Sequence, residues 1–262
     1  MPDTRKIVVL LPVFNEAQGI GQLLDRLADV PLDGYELHVI ACDDGSSDAT
    51  GRTLADYSRL ARFEVITHSL NRGLGETVRD LFERAAEIVE DDDVVVRLDA
   101  DDTHDPAVIP AMIEKLDAGA DVVLASRFQK GGGQVGVHGR RRLLSALANR
   151  LMHAVFPIPG VREYTCGFRA YRGEIVRRAI ATFGNDFIQL KGLGFTSTLE
   201  KLVKLRLLGA RFDEVPFVLR YDLKESESKM LTNITTLGYL VMTIMYYWPS
   251  RGWRTTYRAR SD

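Results

Sequence analysis

Three short clusters hold the side chains most able to do chemistry: Pro12-Val13-Phe14-Asn15-Glu16, Asp43-Asp44-Gly45-Ser46 and Asp99-Ala100-Asp101-Asp102-Thr103-His104. Carboxylates gathered in one place repel each other unless a cation sits among them. Hard oxygen donors of this kind suit Mg²⁺ or Mn²⁺, and a divalent ion so held would grip a substrate diphosphate. Asp101 is the best candidate metal ligand, with Asp99 beside it on the opposite side of the chain. Asp44 and Glu16 suit a nucleotide base or ribose, whose N–H and hydroxyl groups need acceptors. Taken singly, each cluster serves equally well as an N-cap for the helix that follows, since Asp and Ser are favoured there. Three of them at successive strand ends favour ligand binding. Asp105, just before Pro106, reads as a helix cap.

The elements that must position these clusters are legible from periodicity. Compact β-branched runs at 6–11, 37–42, 63–67, 94–98 and 121–125 read as strands buried on both faces of a parallel sheet. Helical patterns near 19–28, 49–61, 75–89 and 106–116 alternate with them. The β-α-β-α order predicts a doubly wound sheet with ligands at the carboxyl ends of its strands, so the three clusters share one edge. Beyond residue 126 the pattern loosens. Gly131–Gly133 reads as a flexible loop, followed by a basic helix at 140–156, a short strand at 167–171, helices at 174–183 and 196–208, and a last strand at 210–219. No internal repeat or low-complexity linker divides the chain.

The 262 residues suffice for one large domain, or a domain with a small appendage. With 45% hydrophobic and 27% charged residues the composition is that of a globular protein. A formal charge of −2 gives no basic field to recommend nucleic acid as a partner. Cys42 and Cys166 show neither CxxC spacing nor a disulfide framework, which points to a reducing compartment. The apolar run 7–11 is too short for a secretion signal, so the expected location is cytoplasmic. No stretch reaches the roughly 18 to 20 apolar residues that span a bilayer.

The clusters, together with Asn71-Arg72-Gly73-Leu74-Gly75, stand in the order and spacing of family 2 glycosyltransferases, which the chain resembles from about Ile7 to Met230. Ser126-Arg127-Phe128, Thr165-Cys166-Gly167-Phe168-Arg169 and Ser228-Lys229 make it similar to the polyprenyl-phosphate glycosyltransferases within that family. The resemblance implies a GT-A, Rossmann-like α/β fold with a mixed, mostly parallel sheet flanked by helices. It implies transfer of a hexose, mannose from GDP-mannose first and glucose from UDP-glucose second, onto a polyprenyl phosphate. Asp99, Asp101 and Thr103 match the acidic metal motif, Thr103 standing where Gln is usual. Pro12, Asn15, Glu16, Asp43, Asp44, Gly73 and Asp99 match the segments that contact the nucleotide sugar. Arg127, Arg141, Ser145 and Lys229 match positions toward the acceptor phosphate, and Asp101, Arg127 and Arg141 are the residues expected to carry catalysis. Glu163 and Cys166 replace the more usual Asp and Ser. Lys224 and Ser226 stand where Arg and Gly are common, and Lys cannot reproduce the bidentate grip of Arg.

The acceptor side also follows from the residues. Arg127, Arg140, Arg141 and Arg142 bracket the glycine-rich loop, and Arg141 and Ser145, four apart on a helix, share a face. A guanidinium and a hydroxyl so placed bind one phosphate together, while Arg140 and Arg142 read as surface residues. Arg169 would hold a phosphate or pair with Glu163. A phosphate monoester has its second pKa at about 6, so its attacking oxygen is already ionised and needs no general base. Direct attack would invert the anomeric centre. His104 would touch the leaving phosphate or serve structure.

Met230, Ile234, Leu237, Val241, Ile244, Met245 and Trp248 recur at helical spacing, with Thr and Asn opposite. Such a helix is about 28 Å long and its polar face makes spanning costly. It reads as an amphipathic interfacial helix at the inner membrane face, with Tyr246, Tyr247 and Trp248 at the headgroups and Met152, Val155 and Phe156 extending the apolar surface. The expected division is 1–229 for the glycosyltransferase domain and 230–262 for the helix and basic tail. Two other functions are open: transfer to a hydroxyl acceptor with Glu163 as base, and a non-catalytic nucleotide-sugar binding module.

Overall fold

The computed structural model describes residues 4–137, 139–194, 196–223 and 232–247. β1 (Arg5–Val13), β2 (Tyr35–Asp43), β3 (Phe63–Thr67), β4 (Val94–Arg97), β5 (Val122–Ser126), β7 (Arg169–Arg172) and β8 (Phe212–Pro216) form one sheet in the order β3-β2-β1-β4-β7-β5-β8. All pairs are parallel except those of β7, which runs antiparallel between β4 and β5. This is the mixed, mostly parallel sheet that the β-α alternation predicts.

The strands are apolar on both faces because each face has its own core. Ile7, Val9, Leu11, Val94 and Val96 point to α1 (Ile20–Ala28), α2 (Thr50–Asp56) and α4 (Ile109–Asp117). Val8, Leu10 and Val95 point to α3 (Leu74–Ile88), α5 (Gly139–Val155), α6 (Gly173–Phe183), α7 (Thr196–Leu207) and α8 (Thr232–Tyr247). In α1 the buried residues Ile20, Leu23, Leu24 and Leu27 fall at the i, i+3, i+4, i+7 positions of one stripe. Val13 lies opposite Asp43, and Leu10 opposite Arg97, so β1, β2 and β4 end at one edge.

The second half departs from expectation in instructive ways. The segment expected as one strand at 210–219 splits. β8 ends at Pro216, which has no N–H to extend the ladder, and β9 (Val218–Arg220) pairs with β6 (Gly133–Val135) in a separate two-stranded sheet. The glycine-rich loop is therefore partly ordered. A Cβ on Gly132 would lie 2.4 Å from the carbonyl oxygen of Ser126, so only glycine lets the chain pass there.

Two expectations about apolar surface are corrected. Met152 and Phe156 are 1% and 0% exposed and belong to the core; α5 instead exposes Leu143, Leu144, Leu147 and Leu151. Tyr246 is also a core residue, its hydroxyl 2.9 Å from Gln189 Oε1 and from Glu200 Oε1. The reason is register. α8 lays Gly238, Met242 and Tyr246 inward against α7, leaving Leu237, Leu240, Ile244 and Met245 outside. Trp248 and the tail lie outside the described residues, as does the side chain of Tyr247. Among the described residues no helix is long and apolar enough to cross a membrane.

Candidate active site

The first two strand ends are tied together by short polar bonds. The backbone of Asn15 is left-handed, at φ 51°, which turns the chain sharply after β1. Its N–H donates to Ser46 Oγ at 2.9 Å, and its side-chain oxygen accepts from the N–H of Ser47 at 2.8 Å. The N–H of Glu16 donates to Thr50 Oγ1, and Asp43 Oδ1 accepts from the N–H of Ser46. Glu16, Asp43 and Asp44 are all buried, so these acids are shielded from solvent.

Asp44 is the most heavily engaged of them. Its Oδ1 accepts from His68 Nδ1 at 2.7 Å and from the N–H of Arg72 at 2.8 Å, while Oδ2 accepts from the N–H of Gly73 at 2.8 Å. His68 bridges onward to Asp80 Oδ2 at 2.9 Å, where Arg72 also pairs. Asp44 thus shapes the Arg72–Gly73 turn, through which Gly73 enters the site. His68 and Asp80 were not legible as site residues, because an isolated His and a helical Asp carry no motif.

After β4 the chain turns through Asp99–His104. Asp101 Oδ1 accepts from Thr103 Oγ1 at 2.6 Å, so the acid and the hydroxyl expected as metal ligands stand side by side. Asp102 also sits in the left-handed region, at φ 56°. Arg26 of α1 bridges Asp102 Oδ1 and Asp105 Oδ1, each at 2.7 Å. Burial raises the carboxyl of Asp102 above its ordinary pKa, with Arg26 opposing. Asp105 also accepts from the N–H of Ala107, the cap its position predicts. Asp99 Oδ1 lies 2.6 Å from Arg97 NH2, and its N–H donates to His104 Nδ1. His104 is buried against Phe168 and Phe217, and burial lowers its pKa. With Nδ1 accepting, the ring is neutral and carries its proton on Nε2.

The second half reaches this edge through residues 163–169, because β7 runs antiparallel and begins opposite the end of β4. Arg127 Nε and NH2 donate to Glu163 Oε2 and Oε1 at 2.7 and 2.8 Å, and NH2 also donates to Thr165 Oγ1. Glu163 is fully buried and also accepts from the N–H groups of Thr165 and Cys166. Burial pulls Arg127 down, but the charge of Glu163 outweighs it and holds the guanidinium above its ordinary value. Burial likewise raises Glu163, yet Arg127 wins and keeps it ionised. Asn149 of α5 donates to Thr165 Oγ1 at 3.0 Å and to the carbonyl oxygen of Ser145 at 2.8 Å, joining the Ser145 turn to Arg127. Arg141 lies on α5 with its side chain outside the described residues; Lys224, Ser226, Ser228 and Lys229 lie outside them altogether. Arg169 is not the partner of Glu163: it is fully buried and donates to the carbonyl oxygens of Thr198 and Tyr164. Burial, then the charge of Glu163, pushes the Cys166 thiol up to about 12, so it is inert.

Among the described residues no group of three or more His, Cys, Asp and Glu side chains forms a metal cage. The oxygen donors of Asp101, Thr103 and Asp99 are hard, few and just past the end of β4. That set fits a Mg²⁺ or Mn²⁺ ion shared with a substrate diphosphate, since Mg²⁺ is usually bound by one or two carboxylates plus phosphates.

Residues 8–179 match the family described as Glycosyl transferase family 2. The undecaprenyl-phosphate mannosyltransferase of Micrococcus luteus is 30% identical over 257 residues, covering 95% of this chain and 96% of that protein. The dolichol-phosphate mannosyltransferase of Pyrococcus furiosus is 29% identical over 236 residues, 90% of this chain. The polyprenol monophosphomannose synthase of Mycolicibacterium smegmatis is 31% identical over 178 residues, 67% of this chain. The matches span only 62% and 64% of the Pyrococcus and Mycolicibacterium proteins. Among solved structures, glucosyl-3-phosphoglycerate synthase from Mycobacterium tuberculosis, in complex with Mn²⁺ and UDP-glucose, superimposes with a TM-score of 0.61 at 19% identity. That likeness covers 92% of this chain and 78% of that one, and it establishes the fold.

Proposed function

The chain belongs to glycosyl transferase family 2, and from that premise we propose that it transfers a hexose from a nucleotide diphosphate sugar to a polyprenyl phosphate, inverting the anomeric centre. One observation carries the reading: the edge holding Asp99, Asp101 and the Asn15–Asp43–Asp44 loops also receives the Arg127–Thr165–Asn149 bonds that lead to Ser145. That continuity supports a site for one anion beside a site for another. The mannosyltransferase names of the Micrococcus and Pyrococcus relatives make GDP-mannose the first donor to test, and UDP-glucose is the second.

Asp101, Thr103 and Asp99 would hold a Mg²⁺ or Mn²⁺ ion, which when bound supplies charge to stabilise the departing diphosphate. Pro12, Asn15, Glu16, Asp43, Asp44 and Gly73 form the nucleotide wall. Arg127, with Arg141, Ser145 and Lys229, screens the repulsion between the two phosphorylated substrates and orients the acceptor. A base is unnecessary for a phosphate nucleophile. Glu163, the candidate base for a hydroxyl acceptor, accepts from Arg127 and two backbone N–H groups at full burial, which speaks for the phosphate acceptor.

Lipid access fits the exposed leucines of α5 and the apolar face of α8, which we assign to the cytoplasmic membrane surface, with 230–262 as the associating segment. The test is incubation with radiolabelled GDP-mannose or UDP-glucose, Mg²⁺ or Mn²⁺, and either polyprenyl phosphate or the dephosphorylated alcohol. Label should enter an acid-labile lipid only with the phosphate; equal transfer to the alcohol defeats the acceptor assignment.

A further inference from the structure

Arg97, two residues before Asp99, is 1% exposed. Its NH2 lies 2.6 Å from Asp99 Oδ1, yet Nε, NH1 and NH2 make no aligned hydrogen bond among the described residues. Charge, not hydrogen-bond geometry, holds the pair.

The surroundings leave Arg97 dependent on that one carboxylate. Arg169 stands directly opposite it on β7, and Lys201 of α7 is buried with its Nζ 4.7 Å from the centre of the Phe82 ring. Burial, then repulsion from Arg97 and Arg169, drives the Lys201 amine well below its ordinary pKa. Asp99 is the carboxylate in ion-pair contact with Arg97 among the described residues.

The seat is shaped for the guanidinium. A Cβ on Gly167 would fall 1.5 Å from Arg97 NH1, so the glycine of Cys166-Gly167-Phe168 makes the room that Arg97 fills. The Asp99 carboxylate is held from beneath: Oδ1 faces Arg97, Oδ2 lies 3.6 Å from His104 Nε2, and the side chain remains 28% exposed.

We infer that Arg97 is a positioning residue that gives Asp99 a protein counter-charge, so that within the proposed metal set Asp101 is the principal ligand and Asp99 a weaker one, left to accept a hydrogen bond from the donor. The inference rests on the metal-dependent transfer proposed above. A guanidinium and a dication on one carboxylate repel at close range, so a carboxylate already neutralised by Arg97 has little left for the metal.

The test measures binding of Mn²⁺ alone to the full chain by electron paramagnetic resonance, for wild type, Arg97→Met, Arg97→Gln, Arg97→Lys and Asp101→Ala, with thermal melts to confirm folding. Freeing Asp99 in Arg97→Met should tighten Mn²⁺ roughly tenfold, the scale on which outer-shell partners act. The same variant should raise the donor KM more than it lowers kcat. Arg97→Gln repeats the test should the Met variant fail to fold, and Arg97→Lys should keep wild-type Mn²⁺ affinity. Unchanged or weaker Mn²⁺ binding in the neutral variants, with binding lost in Asp101→Ala, overturns the role of Arg97 alone. Wild-type Mn²⁺ affinity in Asp101→Ala would instead overturn the metal reading beneath it.

Discussion

The acidic edge and the outer faces of α5 and α8 solve opposite problems. At the edge, carboxylates are answered from within: Asp44 accepts three protein donors, Asp102 and Asp105 share Arg26, and Glu163 is locked to Arg127. On the outer faces, Leu143, Leu144, Leu147 and Leu151 of α5 and Leu237, Leu240, Ile244 and Met245 of α8 are all exposed. The first region is organised before any substrate arrives, which is how electrostatic catalysis avoids reorganisation at the moment of reaction. The second presents apolar area that no described residue covers. The proposed transfer from a water-soluble donor to a lipid calls for both kinds of surface.

The largest expected effect sharpens the edge. Asp101→Ala should lower the transfer rate by about 10³-fold or more, the scale of losing a principal charge-stabilising group, in initial-rate assays at saturating Mn²⁺. A variant with undiminished rate would remove Asp101 from the chemistry. Next comes Arg127→Met, which strands Glu163 as a buried uncompensated acid and should cost about 3–5 kcal/mol in denaturant unfolding. Adding Glu163→Gln should recover part of that loss; no recovery would mean that the two side chains are not coupled. The same pair sets an acid limit. The pKa of Glu163 is lowered in the fold, so its stabilisation is complete above the ordinary value of 4.5 and fades as pH falls below it, which acid titration of wild type against Glu163→Gln would read.

The outer faces answer to a different assay. Leu143→Glu with Leu147→Glu should weaken binding to anionic lipid vesicles roughly tenfold or more, with little change in melting temperature, because these side chains support no core. Unaltered vesicle binding would leave α5 without a lipid role. The smallest effect separates the two sides of α8. Tyr246→Phe removes the hydroxyl near Gln189 and Glu200 and should cost about 0.5–1.5 kcal/mol, while vesicle binding stays as it was.

How far the sequence carries follows the same division. β3 begins and ends where its β-branched run does, and α1, α3 and α6 lie within a residue of their expected bounds. Their signal is local: a short apolar run, or an apolar stripe at helical spacing. Asp105 as a cap and Asp101 beside Thr103 were legible because both partners lie within a few residues. What escaped depends on contacts between distant segments. His68 matters through Asp44 and Asp80, and Gly167 through Arg97, and no periodicity records either pairing. The inward face of α8 escaped for a related reason. Thr235 and Gly238 lie on the side packed against α7, so a search for apolar spacing finds the outer stripe and passes over the packed one. A Cβ on Gly238 would fall 1.9 Å from Thr196 Oγ1, a closeness that belongs to the helix pair and to neither helix alone.

The reversed course of β7 has one more consequence. Because that strand starts opposite the end of β4, the connection from Pro157 to Phe168 reaches the acidic edge before entering the sheet, while every residue of the proposed donor wall precedes it. On the proposed division of the site, lengthening or exchanging that connection would recast the acceptor side and leave the nucleotide side as it stands, an architecture in which the two substrates are specified by separate stretches of chain.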